Sequence, residues 1–194
     1  SEVAIVADMT CHPEYVAADM LSQAEHGMDS QSILFTDNED VARAVLAEVE
    51  KQLEALPRKE MASSSLGHSR IVVLHDMEEA FEICNQYAPE HLILAMDTAL
   101  DWADRIVNAG SVFLGHYSCE SAGDYASGTN HTLPTSGYAK AYSGVNLDSF
   151  CRKITFQHLT PEGIDSIGRA VEVMAEAESL DAHRNAMTLR MKNR

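Results

Sequence analysis

The chain has 194 residues, enough to bury a core and to form one or two domains. Its net charge of −16, with no concentrated basic stretch, excludes the electrostatic footprint that binds nucleic acid. Its apolar fraction of 45% is ordinary for a globular protein, yet no apolar run is long enough to cross a bilayer and no charged-then-apolar signal segment opens the chain. Four scattered cysteines, Cys11, Cys84, Cys119 and Cys151, form no C-x-x-C pair. That pattern points to reduced thiols in the cytoplasm, and the short apolar runs point to no membrane partner.

In chain order, Glu2 to Ala7 predicts a buried strand. His12 to His26 predicts a helix, with Pro13 in its first turn and Gly27 as its stop. Gln31 to Thr36 is a second strand. Asp37 offers a cap to the next helix, whose Val41, Ala44, Val45, Val49 and Leu53 recur at helical spacing until Pro57. A shorter helix follows through Ser65. Arg70 to His75 reads as a strand, Met77 to Tyr87 as a helix and Leu92 to Met96 as a strand. Thr98 is positioned to cap a helix running to Ala109 and stopped by Gly110, with a strand at Ser111 to Gly115. Strands alternating with helices predict an α/β fold with a mainly parallel sheet, because parallel neighbours need crossover helices. Lys153 to Leu159 reads as one more strand. From Pro161 the pattern turns helical, with an apolar stripe at Ile164, Ile167, Ala170, Val171 and Met174. The predicted division is an α/β domain over 1–148 and a small helical domain over 149–194.

Chemistry concentrates in a few places. Five of the ten glycines lie between Gly115 and Gly144. Between them, Gly123 to Thr135 packs polar residues around Asp124 and His131, with almost no core formers. A long irregular loop inside a compact domain is usually functional or disordered. Gln23 and His26 are three apart near a helix end and share a face. On local sequence alone, the plainer reading of His26 is a histidine favouring the negative end of the helix dipole. Glu90 and His91 follow Pro89 at a defined turn ahead of a strand. Adjacent side chains of an extended segment point to opposite faces, so the two groups address different atoms rather than each other. Locally they also read as a plain surface pair. Glu178 and His183 are five apart, and Asp181 offers an N-cap that would break the helix between them. Cys119, close to Asp124, lacks the flanking cation or helix N-terminus that stabilises a thiolate, and reads as packing.

Five segments together resemble histidinol dehydrogenase, the zinc- and NAD-dependent enzyme that ends histidine biosynthesis. They are Leu21–Gly27, Ala88–Leu92, Asn108–Gly115, Gly123–Thr135 and Leu180–Ala186. They occur in family order and at family spacings over the whole chain, which corresponds to the C-terminal part of the family sequence. The resemblance implies most of an incomplete Rossmann-like domain followed by a small helical C-terminal domain.

It also implies the oxidation of L-histidinol through L-histidinaldehyde to L-histidine, with two NAD reduced. It assigns His91 as general base and Glu90 as the residue that activates water. It assigns Gln23, His26, Asp124 and His183 as ligands of one zinc per site. Ser1, His131 and Glu178 join Gln23, His26, His91, Asp124 and His183 in binding substrate. Glu178 and His183 serve the partner's site in a homodimer with shared active sites. Cysteine stands at 119 where many relatives have proline. There is no G-x-G-x-x-G, and the resemblance puts the NAD contacts largely in the N-terminal part that this chain lacks. Two alternatives stay open: a catalytically inactive fragment that folds and dimerises, and a zinc hydrolase in which Glu90 activates water without NAD.

Overall fold

The computed structural model describes residues 1–192, in two units, Ser1–Phe150 and the described residues from Cys151 onward. The sequence division at 148/149 lies two residues from this boundary. In the first unit, five strands form one parallel sheet in the order β3-β2-β1-β4-β5. They are β1 Glu2–Ala7, β2 Gln31–Thr36, β3 Arg70–Val73, β4 His91–Ala95 and β5 Ser111–Leu114. Val3 sits beside Ser32 on one side and beside His91 on the other, and His91 sits beside Ser111.

The helices are α1 Pro13–Ala24, α2 Glu39–Leu53, α3 Lys59–Leu66, α4 Met77–Tyr87 and α5 Glu120–Tyr125. The central strands are buried on both faces, so they read as continuous apolar runs. Val3, Ile5, Ile93 and Ala95 point into one core, with Val16, Ala17 and Met20 of α1 and Val41, Val45 and Val49 of α2. Ala4, Val6, Leu92 and Leu94 point into the other, with Ala80, Phe81 and Cys84 of α4. Among the described residues, no helix is long and apolar enough to cross a membrane.

Three sequence expectations give way to tertiary structure. The cap of α2 is Asn38 rather than Asp37: its side chain accepts from Asp40 N (2.8 Å) and Val41 N (3.2 Å). The helix expected over 98–109 is a string of turns with one 3-10 turn, Ala103–Arg105. Trp102 stacks on Phe81 with centroids 4.7 Å apart, and Arg105 pairs with Glu78. The Asn85 side chain accepts from Val107 N and Asn108 N and donates to Arg105 O. These anchors on α4 satisfy backbone groups that a helix would have paired internally. The strand expected at 153–159 is absent: the segment is exposed throughout and has no ladder partner in its unit.

The second unit holds α6 Pro161–Ala177 and α7 Asp181–Lys192. The Thr160 hydroxyl caps α6 by accepting from Gly163 N. The break between the helices is real but lies earlier than Asp181, at Ser179, whose φ is 61°. Gly168 is buried where any side chain would overlap Met191 of α7.

Gly110 does not stop a helix; it lets β5 start against the turn before β4. Its N–H donates to Pro89 O and the next N–H donates to Glu90 O, both at 2.9 Å. A Cβ at Gly110 would lie 2.5 Å from Glu90 O, a backbone atom that cannot swing away. Gly110→Ala is therefore expected to cost about 1–3 kcal/mol, as overpacked sites do. Thermal unfolding checks this: a loss near 1 kcal/mol lowers Tm by roughly 2–4 °C in a chain of this size. An unchanged Tm would show that the strand start can move.

Candidate active site

Crossover helices run back along the sheet, so the C-terminal end of α1 returns to the edge where the strands begin. That edge brings the candidate residues together. His91 opens β4 and Glu90 precedes it. Gln23 lies in the last turn of α1, and His26 lies just past its end. Asp124 lies in the last turn of α5, so the polar segment from Gly123 begins as a helix end rather than as loop. Ser22 Oγ and Ser121 Oγ are 3.3 Å apart, which ties α5 to α1.

His26, Glu90, His91, Asp124 and His131, with Tyr125, line one cavity of about 370 Å³. Gln23 is fully buried, with neither amide atom hydrogen-bonded. Glu90 and His91 are only 6% and 2% exposed, which rules out a plain surface pair. Glu178 and His183 belong to the second unit, the first at the C-cap of α6 and the second on α7, and both are exposed.

Glu90 is held from the start of β1. Its Oε2 accepts from Ser1 Oγ at 2.6 Å and from Glu2 N at 3.3 Å. Glu90 N in turn donates to Glu2 Oε1 at 3.3 Å, and Ser136 N donates to the same oxygen at 2.7 Å. The two strand starts thus exchange carboxylate–amide bonds, and Ser1 meets Glu90 rather than lining the cavity. Burial pushes the Glu2 carboxyl above its usual range, against the pull of the Ser136 amide.

His91 faces α5. Its Nε2 is 3.7 Å from Asp124 Oδ1, and its Nδ1 is 3.9 Å from Glu120 Oε1. Burial pushes the His91 pKa down, partly opposed by the Glu90 and Asp124 carboxylates. The neutral ring, which is the form that takes up a proton, is favoured at neutral pH.

Glu120 was not singled out from the sequence. It is 1% exposed, and its Oε1 is also 3.8 Å from His26 Nε2. Burial first, then the charges of Asp124, Asp19 and Glu90, pushes its carboxyl up to about 8. The signal available was its spacing: Glu120 and Asp124 are one helical turn apart in a stretch otherwise poor in charge.

The donor set fits a dication. Ligand atoms of His26, Glu120 and Asp124 lie within 4.8 Å of one another. The negative end of the α1 dipole points to the same place. Nitrogen and oxygen donors without thiolate suit a catalytic zinc rather than a zinc-cysteine knot. Contrary to the sequence reading, Cys119 does sit at a helix N-terminus, as the N-cap residue of the short α5; it is partly buried and stands outside this donor group.

The histidinol dehydrogenase family model matches residues 1–191. Histidinol dehydrogenase of Bacteroides thetaiotaomicron is 59% identical over 191 residues, which cover 98% of this chain and 45% of that protein. The chloroplastic enzyme of Oryza sativa subsp. japonica is 56% identical over the full chain and 41% of its own length. The crystal structure of histidinol dehydrogenase from Elizabethkingia anophelis superposes with a TM-score of 0.92 at 59% identity, covering 99% of this chain and 44% of that one. The chain spans less than half the length of these relatives. A family model that matches residues 1–191, and relatives 59% identical over nearly the whole chain, place this chain in the histidinol dehydrogenase family.

Proposed function

We propose that the protein carrying this chain oxidises L-histidinol through L-histidinaldehyde to L-histidine with NAD, and that this chain supplies its base, its water-activating carboxylate and its zinc ligands. The observation that carries the reading is the convergence of His26, Glu90, His91, Asp124 and His131 on one cavity, with the orphaned amide of Gln23 beside His26. In this reading Gln23, His26 and Asp124 would hold the zinc together with the His183 that a second copy contributes. A zinc held there would supply Lewis-acid orientation of the substrate. NAD, bound mainly by the remainder of the protein, accepts the hydride.

The residues of this chain move the protons. His91 takes the alcohol proton in the first oxidation. Glu90 takes a proton from the water that adds to the aldehyde, and His91 takes the hydrate proton in the second oxidation. Neutral His91 and a carboxylate fixed by Ser1 and Glu2 are suited to these roles.

His183 and Glu178 enter this reading by resemblance, as residues that serve the second copy in a homodimer. Its support in this chain is an apolar surface on the second unit: Met174 is 65% exposed, and Val173 and Leu189 are each 49% exposed. A symmetric dimer makes the exchange reciprocal. The proposed compartment is the cytoplasm, while the rice relative is named chloroplastic.

The test is NADH absorbance with L-histidinol and the complete protein. Two NADH per histidinol are expected, with activity lost on chelation and restored by zinc. Absent NAD reduction, or ester hydrolysis without NAD, would overturn the reading.

A further inference from the structure

Glu120 is a buried carboxylate that the proposed chemistry does not use. Both of its oxygens lack a hydrogen-bond partner, although the residue is 1% exposed. A carboxylate in such a place is costly unless a cation or an N–H faces it. Two imidazoles face it: His91 Nδ1 at 3.9 Å and His26 Nε2 at 3.8 Å from the same Oε1. On the far side of the His91 ring, Nε2 looks toward Asp124 at 3.7 Å. His91 has no hydrogen bond of normal geometry at either ring nitrogen, although the Glu2 backbone also acts on its ring. Two complementary groups, neither with a short hydrogen bond, therefore lie side by side, with their polar atoms buried beside the cavity that His91 lines.

We propose that Glu120 is a positioning residue for His91: it takes the Nδ1–H, fixes the ring, and leaves Nε2 unprotonated toward the cavity. This rests on the dehydrogenase reading above. In a neutral histidine, the hydrogen bond made by one nitrogen decides which nitrogen carries the proton. A base that used Nδ1–H and Nε2–H tautomers equally would be in its competent form only half of the time. The 3.9 Å separation is longer than a hydrogen bond, and contacts of this kind tighten when substrate fills a site. Asp124 cannot share the task, since in the same reading its oxygens serve the zinc. Glu120 is placed for it because α5 carries both acids one turn apart, one on each side of the imidazole.

This role makes a prediction that a scaffold role does not. Glu120 makes no short hydrogen bond in this fold, so its replacement should cost activity more than stability. The experiment uses the complete protein carrying this chain, with Glu120→Gln, Glu120→Leu and Glu120→Asp. Histidine ¹⁵N shifts of the metal-free protein, with His91→Asn identifying the resonance, report the tautomer directly. The parent should show His91 as the Nδ1–H form, and Glu120→Leu should shift it toward Nε2–H.

In zinc-loaded protein, kcat with histidinol and NAD should fall roughly 10–100-fold in Glu120→Leu, the range for losing an outer-shell partner. KM should stay within about twofold of the parent, as expected when a step rather than binding is damaged. Glu120→Asp should recover part of kcat, and Tm of the metal-free Glu120→Gln protein should not fall. An unchanged His91 tautomer in Glu120→Leu overturns the proposal, as does a loss of Tm that accompanies the loss of activity. If the parent fails to reduce NAD, the dehydrogenase reading fails by itself, and the tautomer measurement still decides the role of Glu120.

Discussion

His91→Asn in the complete protein is expected to slow both oxidations by roughly 10²–10⁴-fold, the usual loss on removing a positioned general base. The asparagine keeps a polar side chain of similar reach but cannot take a proton. His91 is 2% exposed, so no bulk water stands ready to substitute for it. Its neutral form, favoured by burial, is the competent one, so kcat/KM should fall as pH drops through the depressed His91 pKa. That acid limb should vanish in the asparagine variant.

Glu90→Gln separates the two steps. Its carboxylate is needed only where water adds, so histidinaldehyde oxidation should be slowed more than histidinol oxidation. Its amide can still meet Ser1 Oγ and Glu2 N, so geometry is largely kept. Single-turnover rates on each substrate provide the measurement. Equal losses on the two substrates would contradict the division of roles.

Much of the fold was legible in local patterns. The strands β1, β2 and β4 announce themselves as short apolar runs because both of their faces are covered. The start of α1 is marked by Pro13, and the end of α4 by the turn before Pro89. What local pattern could not carry is the competition between a helix and its neighbours. Residues 98–109 have helical composition, but Trp102, Arg105 and Asn108 each find a better partner on α4. The segment at 153–159 has strand composition, but a strand exists only beside another strand, and none lies beside it in its unit.

The site was legible in a different way. Gln23, Glu90 and Asp124 are 34 to 101 positions apart, so no spacing rule joins them; resemblance to a family did. Glu120 and Glu2 carry no family motif and were passed over. Each shows its meaning only once burial is known: one is an orphaned carboxylate behind the base, the other a carboxylate that receives Glu90 N and Ser136 N. An acidic residue inside an apolar strand, as Glu2 is, was the available warning, since such a group is almost never buried without a partner.

The second large effect concerns zinc. The complete protein is expected to hold one zinc per chain, and His26→Ala or Asp124→Ala should lower its affinity by more than the roughly 10–100-fold that losing an outer-shell partner costs. The argument begins with Gln23. Each buried, unpaired polar atom of an amide costs roughly 1–3 kcal/mol, and a cation on its oxygen would remove the oxygen's share. His26 and Asp124 bring one imidazole and one carboxylate to the same spot, and His183 is the second imidazole of the proposed set. No thiolate is needed: Cys11 and Cys84 are buried, with thiols pushed up to about 11 and about 12, and Cys119 stands outside the donor group. Elemental analysis of metal-replete protein and competition with a chelator provide the numbers. Cys119→Ser should leave zinc content unchanged, whereas the double variant His26→Ala, His183→Ala should have little. Saturating zinc in that double variant would sink the ligand assignment, because two of its four donors would then be dispensable.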